Sequence, residues 1–216
     1  MISAIMQSMP FLLQGALYTI SIAATAMVLG LCGGIICGIL NCQKLRTPII
    51  SLCINSFVWI IRGTPLFAQL LIVYYALPEA LGIPLSPFMA GVIALGFNSI
   101  AYISEIVRGG VNSISGGQWD AAYVLGVAPW RTLRDIIIPQ MLRITLPSLT
   151  NELTALIKET SILSMIGVAE LTKISRDIVA RELNPMTIYL VAAVFYLIMT
   201  SVIAFITHTA QKRSHL

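Results

Sequence analysis

Charge is scarce in this chain. Only 10% of its 216 residues are Asp, Glu, Lys or Arg and only two are His, against roughly 25% charged residues in a soluble domain. So few ionisable groups cannot clothe a water-facing surface, and with 57% hydrophobic residues and a mean hydropathy of +0.90 lipid is the main solvent. Catalytic equipment is equally thin. No G-x-x-x-x-G-K-[ST] phosphate loop occurs, which excludes that nucleotide cradle from this chain. No nucleophile–base or metal-ligand pattern is visible, and His208 and His215 stand at the extreme C-terminus, so no catalytic or metal site is assigned. Cys32, Cys37, Cys42 and Cys53 lack zinc spacing and His partners, and read as small apolar residues of the membrane region. The opening MISAIMQSMP has no basic flank of a cleavable signal, so the first apolar block is expected to be a retained span. The net charge of +4 then serves as a topology signal rather than a nucleic-acid surface.

What is present is apolar sequence in blocks. A crossing takes about 20 mostly apolar residues, and five segments qualify: 11–40, 49–77, 88–107, 144–167 and 186–209. The expectation is an all-α, multi-pass membrane protein with one domain over 1–216 and a membrane core at 11–209. An odd number of spans puts the termini on opposite sides. With the N-terminus outside, Lys44, Arg46, Arg108, Arg131, Arg134, Arg143, Lys212 and Arg213 face the cytoplasm, and only Lys173, Arg176 and Arg181 face out. The positive-inside rule selects that orientation, with the C-terminus cytoplasmic. Residues 108–143 are then a cytoplasmic segment, and 168–185, with Leu171, Ile174 and Ile178 at helical spacing, an outer amphipathic segment. It either covers the outer mouth or lies on the bilayer.

Three spans carry further signals. Gly30, Gly34 and Gly38 recur every fourth residue on one helical face, a pattern for close helix approach. In the second span, Arg62, Gly63 and Thr64 precede Pro65; proline lacks the helical N–H and disfavours helical geometry at the residue before it. A break or kink is expected there, with the first half towards the cytoplasm and the second completing the crossing. Arg62 is either a snorkelling end residue or part of a gate in a discontinuous helix. The fourth span is the most polar: Ser148, Asn151, Glu152, Ala155 and Glu159 fall near one face, Lys158 lies beside it, and Thr160, Ser161 and Ser164 follow. Ionisable groups at membrane depth need a water-filled cavity or one another, so this face lines either a solute pathway or a protein seam.

The cytoplasmic segment reads as a short helix over 118–125, with Gly126 where a C-terminal stop belongs. Two turns are marginal alone in water, so its own chain or a partner must hold it. Trp119 and Tyr123, four apart, offer contact area, Ala121 and Ala122 leave room for close approach, and Asp120 supplies a charge. A docking helix and an ordinary re-entry loop both fit.

Asp120-Ala121-Ala122, three residues, Gly126, nine residues, then Ile136-Ile137-Ile138-Pro139 resembles the Glu-Ala-Ala signature of ABC importer permeases, with Asp for Glu and Ile for Leu. RGTPLFAQLLIVYYALP, AYISEIVRGGVNSISGGQWDAAYVLG, IIIPQMLRITLPSLTNEL and KETSILSMIGVAEL are similar to stretches of the polar amino-acid branch, the histidine, glutamine, glutamate and arginine type. The resemblance implies the five-transmembrane-helix, type I permease fold in the bacterial inner membrane. It implies Trp119, Asp120, Ala121, Ala122, Gly126 and Pro139 at the contact with an ATPase, while the polar fourth span itself supplies the candidate pathway residues Asn151, Glu152, Lys158, Glu159, Thr160 and Ser161. It also implies a cytoplasmic ATPase dimer carrying ATP and Mg, a second permease subunit, an external amino-acid-binding protein and a polar L-amino acid as solute. A carrier or channel driven by an ion gradient is the alternative; such carriers often show two related halves, and five spans with one central insert do not divide that way.

Overall fold

The computed structural model describes residues 2–214, with side chains from 6 to 209; the Lys212 and Arg213 side chains and all of His215 lie outside the described residues. Among these, every regular element is helical: α1 Ile2–Leu40, α2 Pro48–Gly63, α3 Leu66–Leu71, α4 Leu77–Leu81, α5 Pro87–Asn112, α6 Gly116–Val124, α7 Pro129–Arg131, α8 Ile138–Glu159, α9 Leu171–Glu182 and α10 Pro185–Ser214. A π-helical stretch, Ile72–Ala76, joins α3 to α4, another, Thr132–Ile137, joins α7 to α8, and a 3-10 stretch, Thr160–Ile166, prolongs α8. Pro48, Pro87, Pro129 and Pro185 each open a helix, where the missing N–H has no intrahelical partner to lose.

α5 is the centre of the bundle and α10 its rim: 67% of the apolar window of Pro87–Asn112 is buried, against 11% for Pro185–Thr209. The glycine ladder of α1 explains how α5 is covered. Gly30 meets Ser99, Gly34 meets Ile103, and Gly38 meets Ser104 and Val107. A Cβ on Gly38 would lie 2.6 Å from the Ser104 carbonyl oxygen, so the two backbones sit at a separation that only glycine permits.

α1, α5 and α10 are each long and apolar enough to cross a membrane. α8 is too polar to join them, carrying Arg143, Glu152, Lys158 and Glu159; it packs on α5 and α10. α2 and α3–α4 qualify only as a pair, bent by 103°. The break expected in the second span is there, at Gly63–Pro65 as the proline requires, and its halves stand nearly perpendicular.

For the outer segment, α9, the contacts give a direction. The Leu171 amide donates to Thr19 Oγ1 at 3.2 Å, and ten residues on the Arg181 guanidinium lies over the Phe11 ring. Advancing along α9 thus means retreating along α1. Thr172 and Tyr196 meet at 2.9 Å, which sets α9 antiparallel to α10 in the same way. α9 therefore stands lengthwise among the spans instead of lying across them, and its buried N-terminal carboxylate, Glu170, accepts from the Thr172 and Lys173 amides and from Tyr196 OH.

Candidate functional site

The cytoplasmic helix, α6, ends as a glycine stop should. Gly126 has φ +72°, its amide donates to the Tyr123 carbonyl at 3.0 Å, and the Val127 amide to the Ala122 carbonyl at 2.9 Å; together these are the paired bonds of a Schellman motif. Ser115 starts the helix, its hydroxyl accepting from the Gly117 amide. Two side-chain contacts tie this short element to the bundle. Lys44 Nζ reaches Asp120 Oδ1 at 3.2 Å from the α1–α2 loop, and Gln140 Nε2 on α8 donates to Gln118 Oε1 at 2.9 Å. The helix is thus held by its own chain.

Its faces differ from the sequence expectation. Ala122 is only 3% exposed and turns inward, so it leaves no room for a partner, while Trp119 beside it packs partly against the core and is otherwise half-exposed. Ala121 and Asp120 are exposed. The large free apolar surface is Tyr123 at 82%, Val124 at 83% and Leu125 at 79%, with Trp130 at 66%; of these only Tyr123 was singled out. Pro139 is exposed in the first turn of α8, after the π-helical stretch. A groove of about 220 Å³ runs between Lys44, Trp119, Asp120, Tyr123 and Pro129.

At the helix break two backbone carbonyls of the last turn are met by side chains. Pro65 has no N–H for the Ile61 carbonyl, and Thr64, extended at φ −120° and ψ 147°, ends the helix. A bare carbonyl shielded from water costs about 1–3 kcal/mol. Thr64 Oγ1 instead donates to the Ile60 carbonyl at 2.9 Å, and Gln69 Nε2 donates to the Ile61 carbonyl at 2.7 Å. The same nitrogen lies 3.0 Å from Thr64 Oγ1 and 3.2 Å from the Thr64 carbonyl, and Gln69 Oε1 accepts from Asn98 Nδ2 on α5 at 3.1 Å. Gly63 has open space around it. Arg62 does not extend freely into solvent: its guanidinium lies over the Tyr102 ring at 5.1 Å and 3.9 Å from Glu105, which Arg108 grips through two bonds of 2.9 and 2.7 Å. These charges line a cavity of about 500 Å³ with Asn55 and Trp59.

The polar face of α8 is partly assembled. Glu152 is half-buried against α5 and accepts from Ser99 Oγ at 2.8 Å. Asn151 and Lys158 are exposed, and Glu159 and Ser161 half-buried. Thr160 is the exception: it is fully buried and spends its hydroxyl on the Ile157 carbonyl, so it does not line a pathway. Ser161 likewise donates to the Lys158 carbonyl. The arrangement offers two carboxylates and one amide near one face of α8, with one ammonium beside it.

Against known proteins, residues 30–215 match the family described as binding-protein-dependent transport system inner membrane component. The chain belongs to this family. It is a multi-pass permease subunit of the bacterial inner membrane, working with an ATPase and a solute-binding protein. The glutamine transport system permease protein GlnP of Escherichia coli K12 is 40% identical over 214 residues, covering 98% of this chain and 96% of the relative. The putative glutamine transport system permease protein GlnP of Rickettsia typhi is 38% identical over 203 residues, covering 94% and 92%. Among solved structures, an amino acid ABC transporter with histidines superposes with a TM-score of 0.88 at 32% identity, over 97% of this chain and 96% of that one. The MetNI methionine ABC transporter in an inward-facing conformation gives 0.84 at 18% identity, over 95% and 96%, a likeness of fold. The permease is therefore of the type I importer fold, and the ion-gradient alternative is set aside.

Proposed function

We propose that this permease carries polar L-amino acids inward by alternating access, its N-terminus outside and its C-terminus cytoplasmic. The chain performs no hydrolysis; ATP and Mg belong to an ATPase dimer, and a second permease subunit, the same chain or a sister, completes the pathway. The observation that carries this reading is the free apolar patch Tyr123–Val124–Leu125 on a helix capped at both ends and tied to the bundle through Lys44 and Gln140. Such a helix moves as a unit, and closure of a docked ATPase would tilt the spans to which it is fastened. Trp119, Asp120, Ala122, Gly126 and Pro139 keep that handle in place, while Ala121 and the patch meet the partner.

The relatives named for glutamine support a polar, side-chain-amide solute. Glu152 on the pathway face favours a cationic one, since a carboxylate in a low-dielectric site attracts the opposite charge; Lys158, exposed nearby, opposes it. Asn151, Glu159 and Ser161 complete the polar surface past which solute moves.

Uptake of a panel of radiolabelled amino acids into vesicles containing the purified assembly, its binding protein outside and ATP inside, tests both levels. Uptake is expected to require the ATPase and to ignore uncouplers. Glu152→Gln, which keeps an acceptor for Ser99, is expected to lower arginine or lysine uptake about tenfold, the scale of a lost hydrogen bond to a charged group, and glutamine uptake much less. Equal losses for all solutes remove the charge argument, and full flux without the ATPase removes the reading itself.

A further inference from the structure

The break between α2 and α3 is closed by residues outside it. Proline deletes one donor from the helix, and the replacement comes from a side chain four positions later: Gln69 Nε2, 2.7 Å from the Ile61 carbonyl. That amide has two hydrogens and three acceptors within 3.2 Å, so it can exchange one acceptor for another as the angle between the helices changes. A backbone N–H has no such freedom. The other end of the Gln69 amide is held by Asn98 of α5, and both side chains are in the interior, at 9% and 6% exposure. Around them Ile60, Pro65, Ala68, Ile72 and Phe97 line a cavity of about 410 Å³ that is apolar apart from Thr64 and Gln69 themselves and leaves space for the helices to shift.

α2 is otherwise tied to α5 by Arg62, over Tyr102 and 3.9 Å from Glu105, and by the Phe57–Phe97 ring contact, all of them at the protein surface. Of its 16 residues only Val58 is buried, and its inner end is joined to the α1–α2 loop by Asn41, which donates to Asn55 Oδ1 and accepts from Ser51, both at 2.7 Å. The same loop bears Lys44, the partner of Asp120 on the cytoplasmic helix. One end of α2 therefore follows the handle, and the other is pinned to the central helix through two amides.

We infer that Gln69 and Asn98 are positioning residues for transport: Gln69 makes the break a hinge by replacing the proline's missing donor, and Asn98 fixes that hinge to α5. Motion delivered to the inner end of α2 then becomes a change of angle about a fixed point instead of a slide of the whole helix. The inference rests on the transport reading above, so its test includes a readout that needs no solute.

Asn98→Ala removes the tether and leaves the Ile61 cap; Gln69→Leu removes both. In the complete assembly with its ATPase and binding protein, Asn98→Ala is expected to lower the melting temperature modestly, since Gln69 Oε1 loses its donor, to raise ATP hydrolysed per amino acid carried several-fold, and to broaden the distance distribution between nitroxides at Leu52 of α2 and Met89 of α5, with the four native cysteines replaced. Gln69→Leu is expected to lower the melting temperature as well. An Asn98→Ala assembly with the native distance distribution overturns the inference whatever the solute proves to be. So does one in which melting temperature and uptake fall together while the hydrolysis ratio stays native, since a merely structural role moves them in that way. Failure of the unsubstituted assembly to take up any amino acid would instead overturn the transport reading, leaving the distance measurement to judge the hinge.

Discussion

Replacing Gly126 should loosen the permease from its ATPase in proportion to backbone strain rather than side-chain size. Gly126 stands at φ +72° with nothing within 4 Å of where a Cβ would go, so no added side chain collides with the protein. What changes is the cost of left-handed geometry, about 1–2 kcal/mol for an ordinary L-residue and less for Asn, which visits that region more readily. The two bonds closing the helix, to the Tyr123 and Ala122 carbonyls, depend on that geometry. A nine-residue helix has little stability of its own to absorb the loss. Where docking requires the closed form, about 1–2 kcal/mol becomes a fivefold to thirtyfold rise in apparent Kd. Titrating purified ATPase against the permease in nanodiscs should rank affinity as Gly above Asn above Ala above Val, with membrane insertion unchanged. Equal affinity for the Ala and wild-type proteins would refute the strain argument, and equal loss for Asn and Val would show that space rather than conformation is what the glycine provides.

Leu125→Asp, at 79% exposure, should weaken ATPase binding about tenfold or more without lowering the melting temperature, because it removes apolar area available only to a partner. Ala122→Glu, at 3% exposure, should do the reverse and destabilise the segment before it affects docking; protease sensitivity of residues 108–143 separates the two. Gly38→Leu should lower the melting temperature by an overpacking cost of about 1–3 kcal/mol, since a Cβ there meets the Ser104 carbonyl oxygen at 2.6 Å. Gly63→Ala, with open space, should leave it unchanged.

Much of the fold was legible where one residue dictates local geometry. Pro65 announces a break, Gly126 a stop and the spaced glycines a close neighbour, because each acts through its own backbone. The angle of the break was not legible, since it depends on Asn98, on another helix, meeting Gln69; a glutamine four residues after a proline in an apolar run was the signal available. Thr160 was placed on the pathway because it follows the polar face in sequence, but at about 100° per residue it stands on the side of Leu149, Leu156 and Ile157, all buried, and its hydroxyl turns to the core. The nine-residue helix misled for the opposite reason: spacing pairs Trp119 with Tyr123, yet only packing decides which end of so short an element turns inward, and Val124, Leu125 and Lys44 gave no local sign of their part.

The thin packing of α2 has a consequence for how its surface is read. With one buried residue in 16, the helix leaves Ile49, Leu52 and Trp59 exposed, and apolar side chains of this kind are at home against lipid tails, so burial within the chain is a poor guide to which of its faces meets a partner.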